Sequence, residues 1–443
     1  MYLPDYVLTC MRALEQAGFQ VYAVGGCVRD ALLGLTPHDY DLCTDATPEQ
    51  MHRVFEGFSL VTSGEKHGTV GVILEHQVVE ITTFRTEGGY ADSRHPDWVR
   101  FVPHIEEDLA RRDFTVNAMA YSLKTGYADP FGGQKDLQDR ILRAVGCPQQ
   151  RFQEDALRIL RGARFAARFQ LTPEKATEQA MFDLAPTMDQ LARERVFEEL
   201  CKLLLWASAE DLCRFAPIIT AVIPELAGQV GFDQRNSHHA FDLFTHTAHV
   251  TANTPAELPM RWAGLLHDVG KVPTFTVDDR GHGHFYGHAK PGAAIADEIL
   301  RRLKAPNALR EEVVLLVQLH MTLIVPEKKV VRRWLGKLGP DMLDKLLTFQ
   351  AADMGGKGIT EEGELEQLQQ IRDLIEEITQ ENACFCLKDL AVNGNDLMAL
   401  GFRGKEIGNC LHHLLEQVMD EQLANSREAL LAAVAEHRGD AHG

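Results

Sequence analysis

The 443-residue sequence lacks any apolar run of about 18 residues or more, so nothing in it reads as a membrane-spanning helix. It also lacks the basic start and long apolar stretch of a signal peptide, since MYLPDYVLTCMRALEQAGF carries acids instead. There is no CxxC pair. The nine cysteines are scattered and odd in number, and CFC at 384–386 is too tight for the usual zinc spacing. Reduced thiols and a cytoplasmic location are therefore expected. Positive charge is short as well: 45 Lys and Arg face 64 Asp and Glu, a net charge of −19, which argues against non-specific coating of nucleic acid. A nucleic-acid substrate held by a local basic stripe stays open. No internal repeat or low-complexity segment is present.

What is there is an ordinary globular composition, 45% hydrophobic and 25% charged, on a chain long enough for several domains. FQVYAVGG reads as a strand running into two glycines, and VRDALLGL as a short helix ended by Gly34. DYDLCTD resumes extended structure. TPEQMHRVFEGF opens with a Thr N-cap and Pro in the first turn. TVGVILEHQVVEITTFR reads as two strands around a polar turn at Glu75–Gln77. From about Arg151 helical periodicity takes over. The fold class expected is α+β: a mixed α/β head (1–145), a helical neck (146–215), a helical body (216–355) and a helical tail (356–443).

Asp39 and Asp41 stand two apart. On a strand both carboxylates would face one spot. Two hard oxygen donors there suit Mg²⁺, which takes a few carboxylates together with substrate phosphates. Glu80, on a neighbouring expected strand, is a third candidate. Gly25 and Gly26 lie between strand and helix, where backbone N–H groups can meet phosphate oxygens, and Arg29 one turn on can add a charge-assisted contact.

The stretch GGCVRDALLG…HDYDL resembles the signature of the nucleotidyltransferase branch that contains bacterial tRNA nucleotidyltransferases (CCA-adding enzymes) and bacterial poly(A) polymerases. RRDFTVNAMAY, DPFGGQKDLQDRILRAVG, RFQEDALRILRGARFAARF and RERVFEELCKLL resemble that family's further motifs, in its order. The resemblance implies a tRNA partner whose 3′ end is extended with C, C and A from CTP and ATP, by a Mg²⁺-dependent two-metal transfer. It also implies that Arg112 holds phosphate while Asp113 and Asn117 position ribose. Read alone, RRDFTVNAMA is a helix start, with Asp113 or Thr115 as N-cap and Arg111 and Arg112 solvated. RTEGGYADSRHP, from Arg85 to Pro96, resembles the flexible loop of enzymes that add all of CCA, and the basic insertion associated with the poly(A) branch is not evident.

In EDALRILRGARFAARF, Asp155 and Arg158 are spaced to share a helix face, followed by Arg161, Arg164 and Arg168. Ile159, Leu160, Ala163, Ala166 and Ala167 form an apolar stripe opposite. A carboxylate beside a guanidinium can accept from the amino group and donate to the ring acceptor that cytosine and adenine share. Guanine and uracil mismatch both contacts, each at a cost of roughly 1–3 kcal/mol. The family gives this role to its EDxxR motif, matched by Glu154, Asp155 and Arg158. Arg161 and Arg164 would lie nearer triphosphate or primer. The competing reading is an i, i+3 salt bridge on a solvated arginine face.

Several of the 19 histidines cluster between 238 and 320. The pattern H…HD…D matches the HD phosphohydrolase superfamily, which implies His246, His267, Asp268 and Asp353 as metal ligands; imidazole with carboxylate suits a divalent transition ion. His288 and His320 are candidates for further ligands or phosphate contacts and Lys271 for a phosphate contact, the competing reading being a degenerate structural insert. In the tail, Lys405 and the turns around Gly394, Gly401 and Gly404 are read either as tRNA backbone contacts or as simple helix caps. Oligomeric state cannot be read from the sequence.

Overall fold

A computed structural model describes residues 1–88, 98–235, 241–358, 363–381, 384–420 and 422–440, with side chains to 435. The chain packs as two compact units: residues 1–230 with 299–306, and residues 231–298 with 307–443. The architecture is the expected α+β one, a mixed-sheet head on a helical remainder. No helix among the described residues is long and apolar enough to cross a membrane.

The head is built on a seven-stranded sheet of order β3-β4-β5-β2-β1-β8-β9. Its strands are β1 (Val21–Val24), β2 (Asp41–Thr44), β3 (Ser59–Val61), β4 (Thr69–Leu74), β5 (Gln77–Thr83), β8 (Ala120–Ser122) and β9 (Gly126–Ala128). Two further strands, β6 (Arg85–Gly88) and β7 (Trp98–Phe101), pair with each other. The β4–β5 turn places Glu75 and His76 at φ 50° and 65°, the left-handed pair that a two-residue hairpin requires. Helix α1 (Asp5–Gln16) buries Val7, Cys10, Met11 and Leu14 at the spacing of one helical face and lies against β1 and β5. Alternate residues of β1 and β2, namely Tyr22, Val24 and Cys43, face a second cluster. It includes Phe84 and also Ile105 and Leu109 of α4 (Ile105–Ala110). The sheet is thus covered on both sides, and only strand ends remain to carry chemistry.

Between α2 (Gly26–Leu32), α3 (Pro48–Val54), α5 (Gly133–Gln138) and the helical remainder, one expectation fails. RRDFTVNAMA does not start a capped helix. It forms a single 3₁₀ turn, Thr115–Asn117, with Phe114 at its N-cap and no side-chain cap. The Asp113 carboxylate is spent elsewhere, and Arg111 is not solvated but ion-paired with Glu87 and Asp108.

A second expectation fails in the neck. EDALRILRGARF is not one helix. It breaks into α6 (Pro148–Glu154) and α7 (Leu157–Phe169), with Asp155 extended at φ −146°, ψ 104°. The Asp155 carboxylate accepts the Leu157 N–H at 3.0 Å, as an N-cap group would. Asp155 and Arg158 therefore do not share a helix face. The apolar stripe of α7 is buried as expected, but Arg158 and Arg164 are buried too, so the arginine face is not solvated. Helices α8 (Lys175–Leu184) and α9 (Arg193–Leu204) follow, and α9 packs along α7.

In the second unit, helix Leu243–Asn253 packs on Leu258–Leu266 and on Pro340–Gly356. The contacts are close because glycines sit at them: a Cβ on Gly264 would stand 2.7 Å from the Thr251 Cα, and one on Gly356 would strike Val250. In the tail, Asn393 and Asp396 form a capping box, and Gly401 and Gly404 adopt φ 90° and 57° around the turn before helix Lys405–Met419.

Candidate active site and histidine centre

The head site grows from the register of three strands. β2 runs parallel to β5 with Leu42 beside Ile81, which brings Asp41 level with Glu80 on the sheet face that also carries Cys43. Asp39 lies just before β2 rather than on it, so the shared-face argument applies to Asp41 and Glu80 instead of Asp39 and Asp41. All three residues are exposed at their tips. Burial of its surroundings raises the Asp41 carboxyl above the usual range. Glu80 and Asp39 push the same way, while Arg112 opposes them. Like-charged carboxylates crowding one strand end are the kind of oxygen donors that a hard cation takes.

Gly25 caps α2 at φ 72°, ψ −123°, a conformation that effectively only glycine adopts. Its N–H donates to the Met119 carbonyl at 3.1 Å, which leaves the Gly26 N–H as the donor at that turn. A Cβ on Gly25 would lie 2.6 Å from Arg112 Nη1, so the Arg112 guanidinium rests on the glycine turn. Asp108, fully buried, anchors Arg112 at 3.5 Å and Arg111 at 3.0 Å. Its i, i+3 and i, i+4 spacing to the two arginines was a usable signal that the sequence reading passed over. Gly25→Ala is expected to destabilise the chain by roughly 1–3 kcal/mol through backbone strain. If the family resemblance holds at Arg112, displacing it should also weaken triphosphate binding, read as a higher KM for the nucleotide. Urea unfolding and initial rates measure the two effects separately, and parental values in both would free Gly25 of either role.

The remaining nucleotide candidates form one hydrogen-bonded chain. Arg29 donates through Nε and Nη2 to Asp30 Oδ1 (2.8 and 2.6 Å) and through Nη1 to Asn117 Oδ1 (2.6 Å). Asn117 Nδ2 donates to Asp113 Oδ1 at 3.0 Å. Asp113 Oδ2 accepts from Arg161 at 2.9 and 2.7 Å. Burial would raise the Asp113 carboxyl, but Arg161 and Asn117 outweigh it and hold the group well below the usual carboxylate range. Arg29 also lies 4.2 Å over the Phe169 ring, which ties the head to α7.

In the neck, Arg158 donates to Glu154 at 2.7 Å, and Asp155 pairs with Arg195 at 3.1 Å. Arg164 pairs with Glu199 at 2.6 Å, both buried. Arg161 and Arg164 thus each face an acid of their own, Arg158 shares Glu154 with Arg151, and Arg168 lies over the rings of Phe169 and Trp206. Most of the expected basic stripe is neutralised internally, and the expected Asp155–Arg158 pair is exchanged for two others. The loop resembling the flexible CCA loop, at 89–97, lies outside the described residues.

The histidine centre belongs to the second unit. Asp242 caps helix Leu243–Asn253 and starts the turn that carries His246. His267 and Asp268 follow Leu258–Leu266, His320 follows Asn307–Leu319, and Asp353 lies on Pro340–Gly356. His246 Nε2 stands 3.3 Å from Asp268 and 3.2 Å from Asp353, and His267 Nε2 stands 3.1 and 3.6 Å from the same two carboxylates. Desolvation would lower the His246 imidazole, but the two carboxylates outweigh it and lift it to about 9. Two groups of three residues bring ligand atoms within 4.8 Å of one another among the described residues. They are His246, His267 and Asp268, and Asp268, His288 and His320. Asp39, Asp41 and Glu80 are not among these groups.

A model described as Poly A polymerase head domain matches residues 21–143, and one described as tRNA nucleotidyltransferase domain 2 matches residues 288–434. The CCA-adding enzyme of Streptococcus thermophilus is 33% identical over 444 residues, covering 98% of both chains. The chain belongs to the CCA-adding enzyme family. The CCA-adding enzyme of Lactobacillus helveticus is 46% identical over 204 residues, a match that spans 45% of this chain and 51% of that one. The crystal structure of Bacillus stearothermophilus CCA-adding enzyme in complex with CTP superimposes with a TM-score of 0.73 at 26% identity, covering 100% of this chain and 99% of that one. The family's fold thus spans both units. None of these similarities assigns the histidine centre.

Proposed function

We propose that this chain adds C, C and A to the 3′ end of tRNA from CTP and ATP without a nucleic-acid template. The observation that carries the reading is the near full-length match to a CCA-adding enzyme. The head geometry supports it. Asp41 and Glu80, with Asp39 beside them, would hold Mg²⁺, which when bound supplies charge for the leaving pyrophosphate and acidifies the attacking 3′ hydroxyl. Arg112 and the Gly26 N–H meet the triphosphate at the adjoining turn. Asn117 and Asp113, locked by Arg29 and Arg161, present a preset amide and carboxylate to the ribose. Asp155, held by Arg195, and Arg158, held by Glu154, supply the base-reading groups. The four segments 1–145, 146–215, 216–355 and 356–443 divide these tasks as head, base-reading neck, body and tRNA-binding tail. The test supplies purified full chain with tRNA lacking its 3′ CCA and one nucleotide at a time. C is expected to be added from CTP alone, A only after C, and neither U nor G. A homopolymer grown from ATP would favour poly(A) polymerase instead.

A second activity is favoured by one specific observation. Each ring that points at Asp268 spends its Nδ1 on a backbone carbonyl, which sets the other nitrogen as ligand. We infer a metal-dependent phosphohydrolase there, with His246, His267, Asp268 and Asp353 holding a divalent transition ion. Asp268→Ala is expected to lose bound metal and at least about tenfold of any hydrolysis of bis(p-nitrophenyl) phosphate, yet still add CCA. Asp39→Ala should do the reverse. Metal retained in Asp268→Ala would remove the site.

A further inference from the structure

A second site adjoins the head carboxylates. This inference rests on the reading that the chain transfers nucleotides to an RNA 3′ end, and it assigns a chain contact to that end.

Strand register sets one row across the sheet. Val61 of β3 pairs with Gly71 of β4, and Gly71 with Glu80 of β5. Asp41 of β2 stands level with Glu80 and pairs on its other side with Val24 of β1, the residue before the glycine turn. Neighbouring strands lie about 4.8 Å apart. The order along the row is therefore glycine turn, Asp41, Glu80, Gly71, Val61. In the transfer, the bond from the RNA 3′ oxygen to the α-phosphorus forms on one side as the bond to pyrophosphate breaks on the other, the two oxygens roughly in line. With the triphosphate at the glycine turn and Arg112, the RNA end has to arrive from the side of β4 and β3.

A cleft of about 400 Å³ lies on that side. It is lined by Val61, Gly71, Val78 and Glu80 of the sheet and by His67, Arg85 and Glu87. Its volume falls in the range of pockets that hold one small ligand. Gly71 hollows the floor, since a Cβ there would stand 3.0 Å from Val78 Cγ1 and 3.1 Å from the Val61 Cβ. Val61 and Val78 are exposed and offer apolar surface to a sugar or base.

Arg85 supplies the charge. Its Nε stands 3.2 Å from Glu87 Oε2, and its Nη1 donates to the His67 carbonyl. Its Nη2 makes no hydrogen bond among the described residues. Glu87 is shared with Arg111, and Asp108 pairs with both Arg111 and Arg112. Three guanidiniums thus draw on two carboxylates. Burial and the neighbouring Arg111 hold the Arg85 guanidinium below its ordinary value, against the pull of Glu87 and Asp108. A cation so placed gains from an anion. The remaining acid of the cleft, Glu80, faces the Mg²⁺ site.

We propose that this cleft takes the 3′-terminal nucleotide of the RNA, with the phosphodiester on that nucleotide's 5′ side held by Arg85.

The test uses the full-length chain and tRNA lacking its CCA, in natural form and with its last phosphodiester replaced by an uncharged methylphosphonate. Steady-state addition of C is measured for the parent and for Arg85→Ala. The replacement should lower kcat/KM for natural tRNA by about tenfold or more, the worth of one charge-assisted hydrogen bond, and leave KM for CTP within about twofold. The methylphosphonate should cost the parent a similar factor, yet cost Arg85→Ala less than about twofold, because both changes remove one contact. Two factors that multiply independently overturn the contact. A raised KM for CTP with kcat/KM for tRNA at saturating CTP unchanged also overturns it, and gives Arg85 to the triphosphate instead. Should Arg85→Ala unfold the chain, Val78→Trp fills the cleft from an exposed position and should lower kcat/KM for tRNA alone; an unchanged value overturns the cleft. A parent that adds no C overturns the transferase reading itself, whereas a parent that adds C while the variants match it overturns this inference only.

Discussion

Asp41→Ala should lower nucleotide addition by about three orders of magnitude or more while leaving tRNA affinity within a few-fold of the parent. The magnitude follows from the several kcal/mol that metal charge contributes to a developing pyrophosphate, at about 1.4 kcal/mol per tenfold in rate. Asp41 is the carboxylate that the structure fixes on a strand, level with Glu80 and opposed by Arg112. Removing it takes away a ligand and also frees Arg112 from its nearby negative charge. Stability should suffer little, because Asp41 is exposed at the strand's start. Single-turnover incorporation of labelled CTP, alongside filter binding of tRNA, reads both quantities. Turnover within tenfold of the parent would take Asp41 out of the site.

Asp155→Ala should lower C and A incorporation by about 10- to 100-fold and narrow the gap to U and G. Each lost or mismatched buried hydrogen bond changes discrimination by roughly 1–3 kcal/mol. The structure sharpens the expectation, because Asp155 is held by Arg195 rather than by Arg158. If Asp155 reads the base, then Arg195→Ala, which leaves the carboxylate in place but unsteadied, should blur the same discrimination to a smaller degree. If Asp155 merely anchors α9, both replacements should reduce stability and leave the ratio of CTP to UTP use unchanged. Comparing kcat/KM for the four nucleotides separates the two cases.

Local pattern made much of the head legible. The strand before Gly25, the Thr47 cap of α3 and the hairpin at Glu75 and His76 each follow from a few neighbouring residues, and the structure places them accordingly. The adjacent His267 and Asp268 mark the histidine centre in the sequence, while the resemblance to the HD superfamily supplies its distant members His246 and Asp353; the structure brings these side chains close together. The neck was less legible. Nothing near Asp155 announces a helix break, since the residues around it favour helix. The break comes with a side chain that bonds both Leu157 and Arg195, the latter 40 residues away. The acids that claim Arg161 and Arg164 lie 48 and 35 residues distant, beyond any window in which periodicity speaks. Sequence therefore located the charged residues of α7 and misjudged their company.

That company bears on how the protein can change over generations. Arg164 and Glu199 are each less than one-tenth exposed. Losing Glu199 strands the Arg164 charge in the interior at a cost of roughly 3–5 kcal/mol, a large share of a typical domain's stability, whereas losing Arg164 leaves Glu199 with Lys202 at 3.6 Å. Substitution at 199 thus calls for a matching change at 164. The same tether joins 161 to 113, where one partner lies in the head and the other in the neck. Lineages descended from this chain should show these positions drifting as couples. A grafted neck taken from a relative would have to bring along, or find waiting in its new head, an acid at 113.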